Sequence, residues 1–504
     1  MAEIFLGGES LREQLHPLTT PEMAFQSYRR LAGDKEERSL QRDAFLAGEV
    51  VNPALDYPKL DENELRNGIS VLGEVLKLAE AQPDETTKEA IWDSAAYRMA
   101  EMYWLLSAKD LIDRHSDMSQ HELDQRAGYV QNLNEQLYGK PDQDLYASIV
   151  SEIWRQIDDK ELVGRGQQIK LELEQGVAVR AGGKDTAVSP LNRNESAPLD
   201  PIPQELLDYL EQKILTDNPD LEPTIQQYWD EYIATRPSED QHFTVDDMYT
   251  VFSLVHQQRD PDNSSGIQVM IDPSATALSW ETEQMAVVIG GKRGPISSTK
   301  VMLSKVVHEY IIHAGRAMSG IGSDVPVLGT GLYTAADPGE VSDYLMFEEG
   351  LASSCEKATT GEDTSWDAAN LERYAAYGLA YEGNNFRQVF EVLWRARVLL
   401  KTQSGEEPSE ELITAAQKNT YAACVRIFRG SPTDLGDRST DQEQPTKLLT
   451  FNKDLVYMEG KQRVIAFWEQ NKDDPRMLDL IFKAKFDPTN KRQLALVERV
   501  MGDS

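Results

Sequence analysis

Two histidines and a glutamate fall inside one largely apolar stretch, Ser304-Lys305-Val306-Val307-His308-Glu309-Tyr310-Ile311-Ile312-His313-Ala314-Gly315-Arg316. Imidazoles with a carboxylate beside one of them are the donor types of a hydrolytic metal centre. The usual spacing is H-E-x-x-H, which sets both rings on one face of an α-helix. Here the histidines are five apart, not four. At about 100° per residue, positions i and i+5 diverge by roughly 140° on a regular helix and do not share an ion. A π-bulge with i→i+5 hydrogen bonding brings them back to one face, and Gly315 offers a second way for the helix to loosen. The metal reading therefore requires a helix defect between His308 and His313. Its rival is a buried helix with two incidental histidines, set against a chain that has only seven His.

A third donor must come from elsewhere. Tyr344-Leu345-Met346-Phe347-Glu348-Glu349-Gly350-Leu351-Ala352 places two adjacent carboxylates between apolar residues, an odd composition for a solvated face. Zinc hydrolases commonly use two His and a Glu and keep one position open. Glu349 or Glu348 is thus the expected third ligand, and Glu356 a weaker candidate. Gly350 is expected to let its helix lie close against the histidine helix, and Cys355 reads as core. Glu309, beside a ligand, is the natural catalytic carboxylate. Two later stretches set cations beside apolar residues, as recognition of a substrate's C-terminal carboxylate requires. One carries Arg426 and Arg429, the other Lys453; helix-end charges and ordinary ion pairs explain them as well. Tyr457 and Arg426 are the groups expected to face a developing oxyanion.

The elements that must hold these residues can be read from periodicity. The histidine helix is expected to start at Ser297 or Ser298, either of which can cap it, and to run to about residue 318. Residues 319–339 read as a long Gly/Pro-containing loop that either borders the cleft or is a mobile surface crossing, and 341–357 as the helix of the two glutamates. Upstream, 267–271, 276–280 and 285–289 alternate in the manner of strands. They are expected to form a small antiparallel sheet whose edge can pair with a substrate backbone. Helical spacing recurs at 20–31, 60–81, 88–112 and 144–173, then at 205–215, 221–235 and 245–258. It returns at 366–381, 385–400, 410–428, 453–469, 476–485 and 490–501. The Gly/Pro-rich 178–203 breaks this pattern and reads as a linker or long loop. The expected fold is mainly α with a small antiparallel β-sheet (α+β): a helical accessory domain over 1–177, the linker, and a catalytic domain over 204–504.

Composition narrows the partners. With 504 residues, 40% hydrophobic, the chain can build real cores. Its formal net charge of −34 repels nucleic acid phosphates and anionic membranes alike. No signal peptide and no membrane-spanning run is legible. Two cysteines, Cys355 and Cys424, make no disulfide framework and fit a reducing compartment. A cytoplasmic protein is expected.

His308-Glu309-x-x-x-His313 followed a helix later by Glu348-Glu349-Gly350-Leu351-Ala352 resembles the QEGLA-motif family, domain of unknown function 1704, whose members include a microtubule-associated tyrosine carboxypeptidase. Cys424-Val425-Arg426, Arg429-Gly430, and Lys453-Asp454 with Tyr457 and Gly460 are also similar. The likeness covers roughly 205–500 and does not reach 1–177. It implies a zincin-like metallopeptidase core holding Zn2+, with His308, His313 and Glu349 as ligands and Glu309 as catalytic carboxylate. It further implies a carboxypeptidase acting on a peptide or protein C-terminus, removing a tyrosine-like residue. Tyr310-Ile311-Ile312 is bulkier than the family's filling between the histidines.

Two other function classes remain open at this level. Two His and one carboxylate also make a non-haem iron triad, though that leaves Glu309 without a role. A non-catalytic helical scaffold or regulator with a structural or inactive metal site is the other.

Overall fold

The computed structural model describes residues 30–334, 342–361, 366–435 and 449–502. The first half is α1 (Lys35–Leu46), α2 (Glu62–Glu80), α3 (Glu85–Arg114), α4 (Gln120–Tyr138), α5 (Gln143–Asp158) and α6 (Arg165–Gln175), then strands β1 (Val177–Ala181) and β2 (Lys184–Val188). After these come α7 (Gln204–Asp217), α8 (Leu221–Tyr228), α9 (Val245–Arg259), β3 (Gln268–Asp272), β4 (Leu278–Glu281) and β5 (Ala286–Gly290). The histidine helix follows in three pieces: α10 (Thr299–Val306), a π-helix (Val307–Ala314) and α11 (Gly315–Ile321). Next are β6 (Tyr333–Thr334), β7 (Ser342–Asp343), α12 (Tyr344–Thr360), α13 (Ala368–Tyr381), α14 (Phe386–Lys401), α15 (Glu410–Ile427), α16 (Val456–Asn471), α17 (Pro475–Leu480) and α18 (Lys491–Met501).

The acidic composition is put to local use at helix starts. Asp61, Asp84, Asp142, Asp343 and Asp367 each accept a hydrogen bond from a first-turn N–H, where an N-cap stabilises by about 1 kcal/mol and the helix dipole favours negative charge. Ser298 caps α10 in the expected way, through Val301 N–H.

Several expectations need correction. The stretch 144–173 is not one helix: Gly164, at φ 52, separates α5 from α6. The expected helix over 476–485 ends at Leu480, and the chain turns so that Lys485 is buried. Within 178–203, Gly182 and Gly183 are the positive-φ turn of an antiparallel hairpin, with Ala181 opposite Lys184. A two-residue turn of this kind favours Gly-Gly because both central residues need positive φ. The helix from Thr20 lies almost wholly outside the described residues, as does the 335–339 end of the expected loop. Part of that loop is core, with Val327 and Leu328 fully buried, while Ser319, Gly322 and Asp324 are exposed.

The three-stranded sheet is mixed, not antiparallel. Its order is β3-β5-β4, with β4 antiparallel and β3 parallel to β5. The strands alternate in direction along the chain, and the third inserts between the first two, so first and third must run the same way. All five residues of β5 are buried, as a central strand demands.

Two hydrophobic clusters fill the molecule. One joins Phe45, Ile153, Val287, Val306, Phe347 and Phe467 and encloses the histidine helix. The other joins Leu72, Trp104, Leu137, Leu328, Phe451 and Val497. Both draw on residues before 178 and after 203. Gly350 does not face the histidine helix, as expected, but α16. A Cβ there would lie 2.2 Å from the Gly460 carbonyl carbon, and one on Gly460 would lie 2.1 Å from the Met346 oxygen. The paired glycines allow backbone contact between α12 and α16.

Candidate metal centre

The defect that the histidine spacing requires is present. Val307–Ala314 is a π-helix, and the N–H of Gly315 reaches back to the carbonyl of Tyr310. The ring centroids of His308 and His313 are consequently 5.0 Å apart. The bulky filling faces the core: Tyr310 and Ile312 are fully buried, and the Tyr310 hydroxyl lies 2.7 Å from His256 Nδ1.

His308, His313 and Glu349 each offer one donor atom within 4.8 Å of the others. His308 Nε2 lies 3.9 Å from Glu349 Oε2, and His313 Nε2 lies 3.9 Å from Glu349 Oε1. The outward nitrogens are already engaged. His313 Nδ1 is 2.7 Å from Glu348 Oε1. His308 Nδ1 is 2.9 Å from Glu356 Oε2, off the line of a straight hydrogen bond. Carboxylates at Nδ1 fix the tautomer that leaves Nε2 free as a donor and raise its basicity. Of the three glutamates the sequence offers on this helix, Glu349 therefore joins the donor set, while Glu348 and Glu356 orient the rings.

Glu348 is itself held by two buried cations. Arg316 Nη1 donates to its Oε2 at 2.8 Å, and Lys485 Nζ bonds Oε1. Burial alone would raise its carboxyl; Lys485, Arg316 and His313 outweigh that and hold it down at about 2. Glu356, bonded to Lys305, is also held at about 2 against the effect of burial, by His308 and Lys305. Burial would depress His308, yet Glu309, Glu356 and Glu349 together push it up to about 9. Such a pocket of converging carboxylates favours a cation, and the two-imidazole, one-carboxylate set fits a divalent transition metal.

Glu309 sits beside this set, its Oε1 4.0 Å from His308 Nε2. It is 8% exposed, and burial raises its carboxyl. Its Oε2 accepts the N–H of Trp280 at 2.8 Å. That bond defines an edge. Ala277 O accepts from Gly290 N on the β5 side, so Leu278 and Trp280, one pleat out of step, direct their backbone groups to the open side of β4. The open edge of the sheet faces the candidate centre.

Tyr457 projects from α16 toward the same place. Its hydroxyl is raised first by Glu349 and then by burial, and the Gly350–Gly460 contact is what brings those two helices together. The other expected binding residues are less available. Arg426 is paired with Asp454 at 2.7 Å. Lys453 lies in the field of Asp343. Arg429, depressed by burial, lies near Asp454, Arg426, Arg38 and Tyr57. Sequence reasoning missed Arg316 and Lys485 as supports of the site. Arg316 closes the histidine stretch and sits one turn past His313, a signal that was there to use. Lys485 lies far along the chain, and nothing local marks it. Comparison with family models, with curated proteins and with solved structures finds no match to this chain.

Proposed function

We propose that the protein is a zinc-dependent peptidase of the carboxypeptidase type. The observation that carries this reading is the convergence of two Nε2 atoms and the Glu349 carboxylate, with Glu309 beside them and a strand edge alongside. His308, His313 and Glu349 would hold the ion. A zinc ion bound there supplies Lewis-acid activation of water and of the scissile carbonyl. Glu309 takes the proton of the attacking water and returns it to the leaving amine. The Tyr457 phenol donates to the oxygen on which negative charge develops. An extended substrate pairs with β4 at the Leu278 backbone and the Trp280 carbonyl, the Trp280 N–H being held by Glu309, which orients its backbone across the π-helix. The π-helix and both Nδ1 carboxylates keep the imidazoles in place, so orientation is set before substrate arrives.

Glu309→Gln tests the assignment. The variant keeps the shape of the side chain and the acceptor for Trp280 N–H. It should bind zinc as the wild type does, and its peptide turnover should fall by at least about a hundredfold. Metal content is read by elemental analysis and turnover by mass spectrometry of peptide products. Wild-type turnover in the variant refutes the role of Glu309, and no turnover by zinc-loaded wild type on a broad peptide library refutes the peptidase reading.

A further inference from the structure

Asn452 opens the 3-10 turn that leads into α16 and to Tyr457 in its first turn. Neither that turn nor α16 has a side-chain N-cap among the described residues, so the start of the helix is held by other means. Asn452 is fully buried. Its N–H donates to Asn134 Oδ1 at 3.1 Å, and its Nδ2 donates to the Gly139 carbonyl at 2.6 Å and to the Tyr381 hydroxyl at 2.7 Å. Its Oδ1 accepts from the Thr450 hydroxyl at 2.6 Å. Asn134 and Gly139 lie at the end of α4. Tyr381 is tied there as well, accepting from Gln131 at 2.6 Å and donating to Glu135 at 3.1 Å. Phe451 stacks on Trp104 of α3 at 5.2 Å and meets Tyr138 edge-on at 5.3 Å. A second tie reaches α16 just past Tyr457: the Asp142 N–H donates to the Tyr374 hydroxyl, which donates to Glu459.

What α16 rests on gives these ties their weight. Beside Tyr457, its contact with α12 is the Gly350–Gly460 pair, where bare backbones touch. Side-chain ridges seated in grooves fix the rotation and shift of one helix on another, and a glycine pair supplies none. Rotation of α16 by a fraction of a turn would carry the Tyr457 hydroxyl away from Glu349, the foremost influence on it. A buried amide with its donors all bonded permits one arrangement, because any shift strands its partners. We propose that Asn452, gripped by the end of α4, is a positioning residue that sets the Tyr457 phenol for the developing oxyanion. The helices before residue 178 then form part of the scaffold of the reaction and are not an accessory to it. This rests on the peptidase reading.

The test is a double-mutant cycle on the whole zinc-loaded chain. Asn452→Ala should lower kcat on a cleavable hexapeptide by on the order of tenfold to a hundredfold, the penalty for a small misplacement made far from the chemistry, with KM and bound zinc unchanged. In a Tyr457→Phe background the same substitution should cost nothing further. Tyr381→Phe, a milder change that removes one hydroxyl of the network, should show a smaller loss with the same dependence on Tyr457. Should Asn452→Ala fail to fold, Tyr381→Phe decides alone. Losses that multiply across the two backgrounds overturn the proposal, since a merely structural defect does not depend on Tyr457. So does wild-type kcat in both network variants, and so does wild-type kcat in Tyr457→Phe. A phosphinic analogue of the hexapeptide, with tetrahedral oxygens where the charge develops, reads the same cycle without turnover. Its Kd should rise in either single variant and no further in the pair. If that pattern holds and the wild type cleaves no peptide, the positioning stands and the peptidase reading fails. If the wild type cleaves and the losses multiply, the peptidase reading stands and the role of Asn452 fails.

Discussion

The two imidazoles are supported in unlike ways. His313 rests on Glu348, which Arg316 and Lys485 grip in turn; these four side chains are 6%, 1%, 0% and 0% exposed. His308 rests on Glu356 and Lys305, with exposures of 15%, 25% and 26%. The same chemical device, a carboxylate on Nδ1, is thus built once in the interior and once near the surface. The interior arm links α11, α12 and the segment after α17, so it ties fold to site. The outer arm links only α10 and α12 to the π-helix and is screened by solvent.

Breaking the inner arm should have the largest effect. Glu348→Ala leaves Arg316 and Lys485 buried without a counter-ion, and loss of one partner in a buried network costs about 3–5 kcal/mol. His313 also loses its anchor, so zinc affinity should fall toward the hundredfold end of the range for such supports. Urea unfolding and chelator competition measure the two quantities. Breaking the outer arm with Glu356→Gln should weaken zinc by about tenfold and cost less stability than Glu348→Ala, because Glu356 and Lys305 remain a quarter exposed. Equal penalties for the two variants, or the reverse order, would show that burial does not set the difference between the arms.

That asymmetry was only half legible in the sequence. The five-residue histidine spacing demanded a helix defect, and Val307–Ala314 supplies one, because geometry on a helix is a local matter. Helices with strong periodicity, such as 88–112 within Glu85–Arg114, were legible for the same reason. Burial is not local. Glu348 and Glu349 are adjacent and chemically identical but point about 100° apart on their helix, and which of them meets Lys485 and Arg316 is set by distant packing. The mixed sheet was hidden likewise, since β3, β4 and β5 read as strands whichever order they take. Arg426 was singled out by its neighbours in sequence, but its counter-ion Asp454 comes from another segment.

A third carboxylate sharpens the contrast. Glu459, on α16, is half-buried where Glu348 is fully buried, and it has no cation in hydrogen-bond contact among the described residues. It accepts from the Tyr374 hydroxyl at 2.9 Å, with the Asp142 backbone N–H beside it and Arg463 in its field, and burial pushes it up to about 7. Where cations close on Glu348 the carboxyl is held low; where they do not, on Glu459, it is driven high. The sign follows from the direction of the shift. The folded pKa lies above the ordinary carboxyl value of 4.5, so the stabilisation is fully present below about pH 4.5 and lost as pH rises through about 7. Wild-type stability should therefore decline between pH 5 and 8 by on the order of 2 kcal/mol from this group. Glu459→Gln, neutral throughout and still able to accept from Tyr374, should remove that part of the decline. Urea melts at intervals across the range would check it. A variant whose pH profile parallels the wild type would mean that Glu459 finds a compensating charge in solution.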